Sequence, residues 1–351
     1  MKKLKFALIG CGRICYKHVE SLKNIEDAEI VAVCDIVSER AKKYGEELSI
    51  PFYIDYRAML QEEEIDIVSI LTPSGTHPEI AIEVMNSKIN VIVEKPMSLQ
   101  INDADKMIEA ADLNNVRLFV VKQNRFNSAV LKAREAYESG RFGKLVMGTV
   151  RVRWARNQTY YDQDEWRGTW ALDGGVLTNQ ASHHIDLLQW FFGDVESVMA
   201  MTKTALVDIE TEDTGIALIR FTSGALGVVE ATTATRPKNL EGSLSVLGEK
   251  GTVVIGGFAV NKVDVWNFTE EHISDKKVVE EFGEAPPNVY GYGHEAYLRD
   301  VFHSLQNNEA ALVEGFEGKK SIQIINAIYE SAKTGKKVYI HNQFQNSPLG
   351  K

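Results

Sequence analysis

Four groups of residues in this chain have types and spacings that could do chemistry. The run Gly10-Cys11-Gly12-Arg13-Ile14-Cys15, with Asp35 further on, matches a dinucleotide-binding turn except at its third small position, where Cys15 stands. Glycines there let the backbone approach a pyrophosphate, and an acidic residue at the next strand end can accept from ribose hydroxyls. Glu94 and Lys95 close the apolar run "VIVEKP", and Pro96 stops it. A lysine there either caps a carbonyl or points into a cleft, where desolvation lowers its pKa and makes it usable in catalysis. In "DGGVLTNQASHHIDLLQWFFGD" the polar Asn179, His183 and Asp186 interrupt an otherwise apolar segment at spacing i, i+4, i+7. On a buried helix such a stripe is either a satisfied core histidine with its carboxylate or the wall of a substrate cavity. His184 points off the stripe and reads as structural. Finally, "RWARNQTYYDQDEWRGTW" gathers Arg156, Tyr160, Trp166 and Arg167 beyond a strand, and forked guanidinium donors suit phosphate and carboxylate groups. Arg151 and Arg153 alternate outward on that strand and read as solvent-facing.

These residues need elements to hold them. "KLKFALIGCGRICYKHVESL", "EIVAVCDIVSERAKKYG" and "DIVSILTPSGTHPEIAIEVMNSK" each read as a strand followed by a helix, and "NVIVEKP" as one more strand. That alternation predicts a doubly wound parallel sheet with right-handed crossovers. The loop after the third strand carries Thr72 and Pro73, and Thr76 with Glu79 forms a capping box. His77 either lines the cofactor site or serves beside the cap. From residue 123 the pattern changes. "DTGIALIRFTSGALGVVEATTAT" and "GSLSVLGEKGTVVIGG" predict hairpins turning at Ser-Gly and Glu-Lys-Gly, within a large open, mostly antiparallel sheet. The expected division is 1–122 for nucleotide binding, 123–341 as an α+β domain for substrate and oligomerisation, and 342–351 as a flexible tail. The polar segment is expected to be helical from Leu177 to Phe192.

Composition narrows the classes. A chain of 351 residues with 44% hydrophobic and 25% charged residues is ordinary for two globular domains. A net charge of -10 argues against nucleic acid as a partner. The apolar run at the start is too short for a signal peptide, and no stretch reaches the length of a membrane span. Three cysteines, Cys11, Cys15 and Cys34, form neither a disulfide framework nor a zinc pattern, which makes a reduced cytoplasm the default.

The motifs "GCGRI", "TPSGTHPE", "VEKP" and the Gly-Gly to His-x-x-Asp segment together resemble the Gfo/Idh/MocA oxidoreductases over nearly the whole chain. The resemblance implies a Rossmann domain followed by an α+β domain with an open antiparallel sheet, and NAD as cofactor without a metal. It implies cofactor contacts from Gly10, Gly12, Arg13, Ile14, Asp35, Thr72, Pro73, His77, Glu94, Lys95, Gln123, Trp166 and Arg167. Catalysis falls to Lys95 and His183, with His183 taking the substrate proton and Lys95 bonding the same oxygen. Where the family often has Asp one turn earlier, this chain has Asn179. "KQNRFN", the Arg156–Arg167 segment and Asn179 are similar to the WlbA-type branch, which oxidises the 3-hydroxyl of UDP-N-acetylglucosaminuronic acid. That implies a UDP-sugar acid substrate held by Lys95, Arg156, Tyr160, Asn179, His183 and Tyr292, with His294 a further contact. It also implies a role in cell-surface polysaccharide such as lipopolysaccharide, NADH released or reoxidised in place by a 2-keto acid such as 2-oxoglutarate, and a homodimer or homotetramer joined sheet to sheet. Rival readings are another sugar or inositol dehydrogenase of the fold, a nucleotide-binding regulator without chemistry, and a metal enzyme using His183, His184 and Asp186. The last is disfavoured because adjacent helical residues diverge by about 100°.

Overall fold

The computed structural model describes residues 3–273, 275–283, 293–341, 344 and 346–351. They form two compact units, Met1–Val121 with His294–Lys319, and Lys122–Gly293 with Lys320–Lys351. The chain therefore crosses between units near the expected boundary at 122. It then differs from the expected plan by returning to the first unit for residues 294–319.

In the first unit the strands are β1 (Leu4–Ile9), β2 (Ala28–Cys34), β3 (Phe52–Tyr53), β4 (Ile67–Ile70), β5 (Asn90–Val93) and β6 (Leu118–Val120). The helices between them are α1 (Cys15–Lys23), α2 (Ser38–Leu48), α3 (Tyr56–Glu62), α4 (His77–Asn86) and α5 (Ile101–Asn114). All pairings are parallel, in the order β3-β2-β1-β4-β5-β6. β4 is buried throughout, as expected where helices cover both faces of a parallel sheet. The order reverses between β1 and β4, so the loops after these strands flank the crevice where such sheets bind ligands. Gly10 follows β1 at φ +100°, and a Cβ there would lie 2.7 Å from the carbonyl carbon of Leu71, after β4. Only glycine lets these two loops approach so closely.

The second unit holds α6 (Ser128–Glu138), β7 (Leu145–Arg153), α7 (Gln158–Tyr161), α8 (Ser182–Phe192), β8 (Val195–Lys203), β9 (Thr214–Phe221) and β10 (Leu226–Thr232). It continues with β11 (Glu241–Gly248), β12 (Gly251–Gly256), β13 (Lys262–Phe268) and α9 (Asp275–Glu281). α10 (Gly293–Asn307) and α11 (Gly315–Thr334) span the unit boundaries, and β14 (Val338–Tyr339) adds an edge strand. The eight strands run β13-β12-β11-β7-β10-β9-β8-β14, with β7 and β10 parallel and the other pairs antiparallel. Hairpins turn at Ser223-Gly224 and Glu249-Lys250, as the Gly-bearing turns predict. α8 packs on one face. A Cβ at Gly148 of β7 would meet Phe192 at 2.4 Å and Leu188 at 2.6 Å, so the missing side chain is what lets the helix settle on the strand.

Three expectations are corrected. α8 begins at Ser182 rather than at Leu177. Before it the amides of Asn179, Gln180 and Ala181 bond back to Gly175 and Val176 in turns, so Asn179 does not share a helix with His183. Among the described residues after 341, the chain is not a free tail. Asn346 bonds Glu330, Ser347 bonds Asn326, and Leu349 is buried, because α11 offers polar partners that composition alone does not reveal. Arg151 and Arg153 do not merely meet solvent. Arg153 forks onto Glu230 at 2.6 and 2.9 Å, and Arg151 approaches Glu241 at 3.4 Å across the sheet.

One charge cluster anchors α8. Asp186, 1% exposed, accepts from Arg125 Nε at 2.8 Å and from its terminal nitrogen at 2.9 Å, and Lys122 Nζ lies 3.6 Å away. Burial alone would raise this carboxyl, but Arg125 and Lys122 outweigh it and hold it below its ordinary range. Lys122 also donates to Ser321 of α11 at 2.6 Å. Substituting Asp186→Asn would strand two buried cations and should cost about 3–5 kcal/mol. Urea unfolding checks this, and a loss too small to measure would show that the cluster anchors nothing.

Candidate active site

In the first unit the glycine turn, Asp35 and the loop after β4 come together. Asp35, at the end of β2, accepts from the Cys11 amide at 2.7 Å and from Val37 at 2.8 Å, so the carboxylate braces the turn it lies beside. A Cβ at Gly12 would meet nothing within 4 Å, leaving open space just ahead of the N-terminus of α1. Arg13 is exposed and Ile14 half-buried at that same N-terminus. The open space at Gly12, the N-terminus of α1 and an acidic residue at the second strand end fit a dinucleotide. Cys15 is fully buried in the third small position and packs there without opening the turn. Burial pushes the Cys34 thiol up to about 12, so it is a packing group, not a nucleophile.

Thr72 and Pro73 are half-buried beside this turn. The expected capping box at Thr76 is absent, because its hydroxyl bonds Thr72 and the Pro73 carbonyl instead. His77 spends both ring nitrogens on backbone carbonyls, Pro96 at 2.9 Å and Thr72 at 2.8 Å. It is 1% exposed and ties the β4 loop to the Lys95-Pro96 turn, a structural task. Lys95 is half-buried at the end of β5. Glu94 turns its carboxylate inward, to His18 at 3.0 Å, His294 at 3.7 Å and the Lys95 amide at 3.1 Å. His294 is thus a buried partner of Glu94 within this unit.

The second unit carries the rest. His183 is buried in the first turn of α8, and Asn179 is half-buried in the turns before it, its amide donating to Asp173. His184, 1% exposed, packs edge-on to Trp154, a structural position. Asp186 faces Arg125 and Lys122 and is therefore no partner of a substrate or metal. Gln123 is buried. Arg167 bonds Asp164 at 3.1 Å and the Tyr160 hydroxyl at 3.0 Å, and stacks over Trp166 at 4.4 Å. The cavity of about 400 Å³ beside it is lined by Asp162, Asp164, Glu165, Asp208 and Glu210, which repel an anion. Arg156 stands apart from those carboxylates, stacked on Trp154 and Tyr160. Tyr292 lies outside the described residues.

Two features escaped sequence reasoning. Arg236, in the β10–β11 loop, donates to the Arg156 backbone carbonyl at 3.0 Å, which ties its guanidinium to the chain at Arg156; the basic "TRPK" after a strand was the available signal. Glu212 lies fully buried under the Gly174-Gly175 turn. It accepts from Leu177 N–H at 3.0 Å and from the Tyr329 hydroxyl at 2.8 Å, while that hydroxyl also meets Thr178 and Gly175. Nothing local in the sequence marks it.

Comparison with known proteins follows this geometry closely. Residues 4–122 match the model of the oxidoreductase family with an NAD-binding Rossmann fold, and residues 130–254 match the GFO/IDH/MocA C-terminal domain. This chain belongs to the Gfo/Idh/MocA family. Its Rossmann unit is NAD-binding. The WlbA dehydrogenase from Bordetella pertussis, solved with NADH and UDP-GlcNAcA, is 41% identical over 98% of this chain and 99% of its own, with a TM-score of 0.91. The WlbA dehydrogenase from Chromobacterium violaceum, solved with the same two ligands, is 42% identical over 97% and 96%, also at 0.91. Myo-inositol 2-dehydrogenase of Thermotoga maritima is 28% identical over 91% of this chain and 96% of its own. Among the described residues, no helix of this Gfo/Idh/MocA chain is long and apolar enough to cross a membrane.

Burial pushes the Glu212 carboxyl up to about 7 from an ordinary 4.5, against the Leu177 and Tyr329 bonds that lower it. Between these values the folded chain keeps a proton that the unfolded chain has lost. Stability is therefore full below 4.5 and falls as pH rises toward 7, by a total of about 3 kcal/mol. Glu212→Gln should match the wild type in Tm near pH 4.5 and exceed it at pH 8. A Tm difference that does not change with pH would place the proton elsewhere.

Proposed function

We propose that this chain oxidises the 3-hydroxyl of UDP-N-acetylglucosaminuronic acid to the 3-keto sugar with NAD. The observation that carries the reading is 41–42% identity over nearly full length to two dehydrogenases solved with NADH and UDP-GlcNAcA. When bound, NAD supplies the acceptor for the hydride leaving the carbinol carbon. Lys95 donates a hydrogen bond to the substrate oxygen as negative charge grows on it. His183 takes the hydroxyl proton onto an imidazole nitrogen. Asn179, held by Asp173, orients the sugar; it has no carboxylate with which to compete for that proton. Arg156 and Arg236 serve the anionic groups, away from the acid-lined cavity beside Arg167. Asp35 accepts from the adenosine ribose and repels a 2′-phosphate, so NAD is preferred over NADP. The 3-keto product serves cell-surface polysaccharide, including lipopolysaccharide, in the cytoplasm, and a 2-keto acid such as 2-oxoglutarate returns the cofactor to NAD in place.

The same proposal includes self-association through the sheet. On the face away from α8, Met199, Leu218 and Val228 stand in one row across β8, β9 and β10, and Met201 and Ile216 in the next. Leu218 is 58% and Met201 76% exposed, too much contiguous apolar surface to leave wet. The ion pairs of Arg151 and Arg153 with Glu230 and Glu241 border it. A second copy of this sheet covers the patch, giving a dimer or a tetramer.

Three measurements test these readings. With NAD, UDP-N-acetylglucosaminuronic acid should produce NADH absorbance while free myo-inositol reacts poorly; equal turnover of the free cyclitol would transfer the function to the inositol dehydrogenases. Lys95→Met and His183→Asn should each slow hydride transfer by about 10²–10⁴-fold with NAD affinity nearly unchanged. For assembly, the double substitution Leu218→Lys, Met201→Lys should reduce the mass in light scattering to the 39.3 kDa of one chain. An unchanged mass would mean the contact lies elsewhere.

A further inference from the structure

Beside Lys95 lies a buried cluster of one carboxylate and two imidazoles. Its members come from three elements far apart in sequence: His18 from α1, Glu94 from the end of β5, and His294 from the first turn of α10. All are within the first unit, with exposures of 0%, 7% and 2%. One carboxylate oxygen of Glu94 lies 3.0 Å from His18 Nε2 and 3.7 Å from His294 Nε2. The other accepts the Lys95 backbone N–H at 3.1 Å. Burial opposes the charge on Glu94, yet the hydrogen bond and attraction of His18 with the approach of His294 outweigh it and hold the carboxyl well below its ordinary range, while burial holds His294 itself below the ordinary imidazole range.

We propose that His18 and His294 are positioning residues for Lys95, acting through Glu94. His18 hydrogen-bonds one oxygen of the carboxylate, and His294 on a different helix approaches the same oxygen at 3.7 Å, so the two helices together set the orientation of the group. The second oxygen is thereby held on the amide of the next residue. That bond sets the backbone at the point where β5 ends, and with it the direction in which the Lys95 side chain leaves the strand. Filling this volume would not need charge, since apolar side chains pack a core at lower cost. The charge is spent one residue from Lys95. The same cluster links the helix that follows the nucleotide turn to the strand end that carries the proposed catalytic lysine. A shift of either is therefore felt by the other.

The proposal rests on the dehydrogenase reading only for its effect on rate, and the test separates the two. In the full-length protein, amide hydrogen exchange at Lys95 is compared for the wild type, Glu94→Leu, His294→Leu and the conservative His294→Gln. The two leucine variants should raise exchange at Lys95 by about tenfold, the worth of a bond to a charged acceptor, with β1 unchanged. His294→Gln keeps a donor and should restore protection. This arm needs no substrate, so it stays readable even if UDP-N-acetylglucosaminuronic acid proves not to be oxidised. Where it is oxidised, hydride transfer should fall by about 10²-fold in the leucine variants, with KM for NAD little changed and recovery in His294→Gln. Unaltered Lys95 exchange in folded Glu94→Leu overturns the proposal. So does a rate loss that appears only in KM, or that merely follows the fraction folded. Stoichiometric metal in the purified protein, lost on His18→Gln, also overturns it, because the cluster would then be a coordination site.

Discussion

A carboxylate taken out of water needs opposite charge, a proton or enough hydrogen-bond donors, and three buried carboxylates of this chain are met differently. Asp186 is met by two cations, Arg125 and Lys122. Glu94 is met by two imidazoles. Glu212 has no cation and takes up a proton near neutral pH instead. Each lies next to a residue proposed to act on substrate. Asp186 is one turn after His183 in α8, Glu94 immediately precedes Lys95, and Glu212 carries the turn that contains Asn179. Buried charge is expensive when mispaired, so each carboxylate admits few arrangements of its surroundings. In the proposed mechanism, the placement of Lys95, Asn179 and His183 is set by these inward-facing groups more than by the acting side chains.

Glycine does the complementary work in the sheets. Gly10 lets the loops after β1 and β4 touch, which closes the floor of the nucleotide turn, and Gly148 lets α8 settle onto β7. In each case a side chain is absent where backbone or a packed ring must pass. The strands contribute stiffness and the glycines contribute distance. The carboxylates then set orientation within a frame that is already fixed.

How much of this could be read from the sequence depended on range. The parallel sheet, the glycine turn with Asp35, the hairpins and the lysine at a buried strand end all follow from patterns within about twenty residues, where periodicity and turn chemistry speak directly. The start of α8 did not follow, because Gly175 and Val176 offer their carbonyls to a series of turns that look helical in composition. "KQNRFN" is polar enough to pass for surface, yet Lys122, Gln123, Asn124 and Arg125 are all buried, since Asp186 supplies a partner dozens of residues later. His18 and Tyr329 are invisible for the same reason, and His294 reads only as a substrate contact: each is explained by a carboxylate brought to it by the fold. Local pattern predicts elements, whereas buried charge pairs are long-range facts.

The electrostatics of the second unit show why an overall charge is a poor guide to a ligand. The chain carries a net charge of -10, and the cavity beside Arg167 is lined by five carboxylates. An anionic sugar nucleotide gains nothing there. Yet the Arg236 side chain bonds the backbone of Arg156, and much of the donor capacity of both guanidinium groups is committed to Asn239 and to backbone carbonyls. Such guanidinium groups are already held in place, so they lose little freedom when they meet a phosphate or carboxylate. Their charge stays local, because screening limits the reach of the acidic surface to about 10 Å at moderate salt. In the proposed reading, an acidic protein can still recognise an anion through cations already fixed at short range, while carboxylates elsewhere keep anions from the wrong part of the surface.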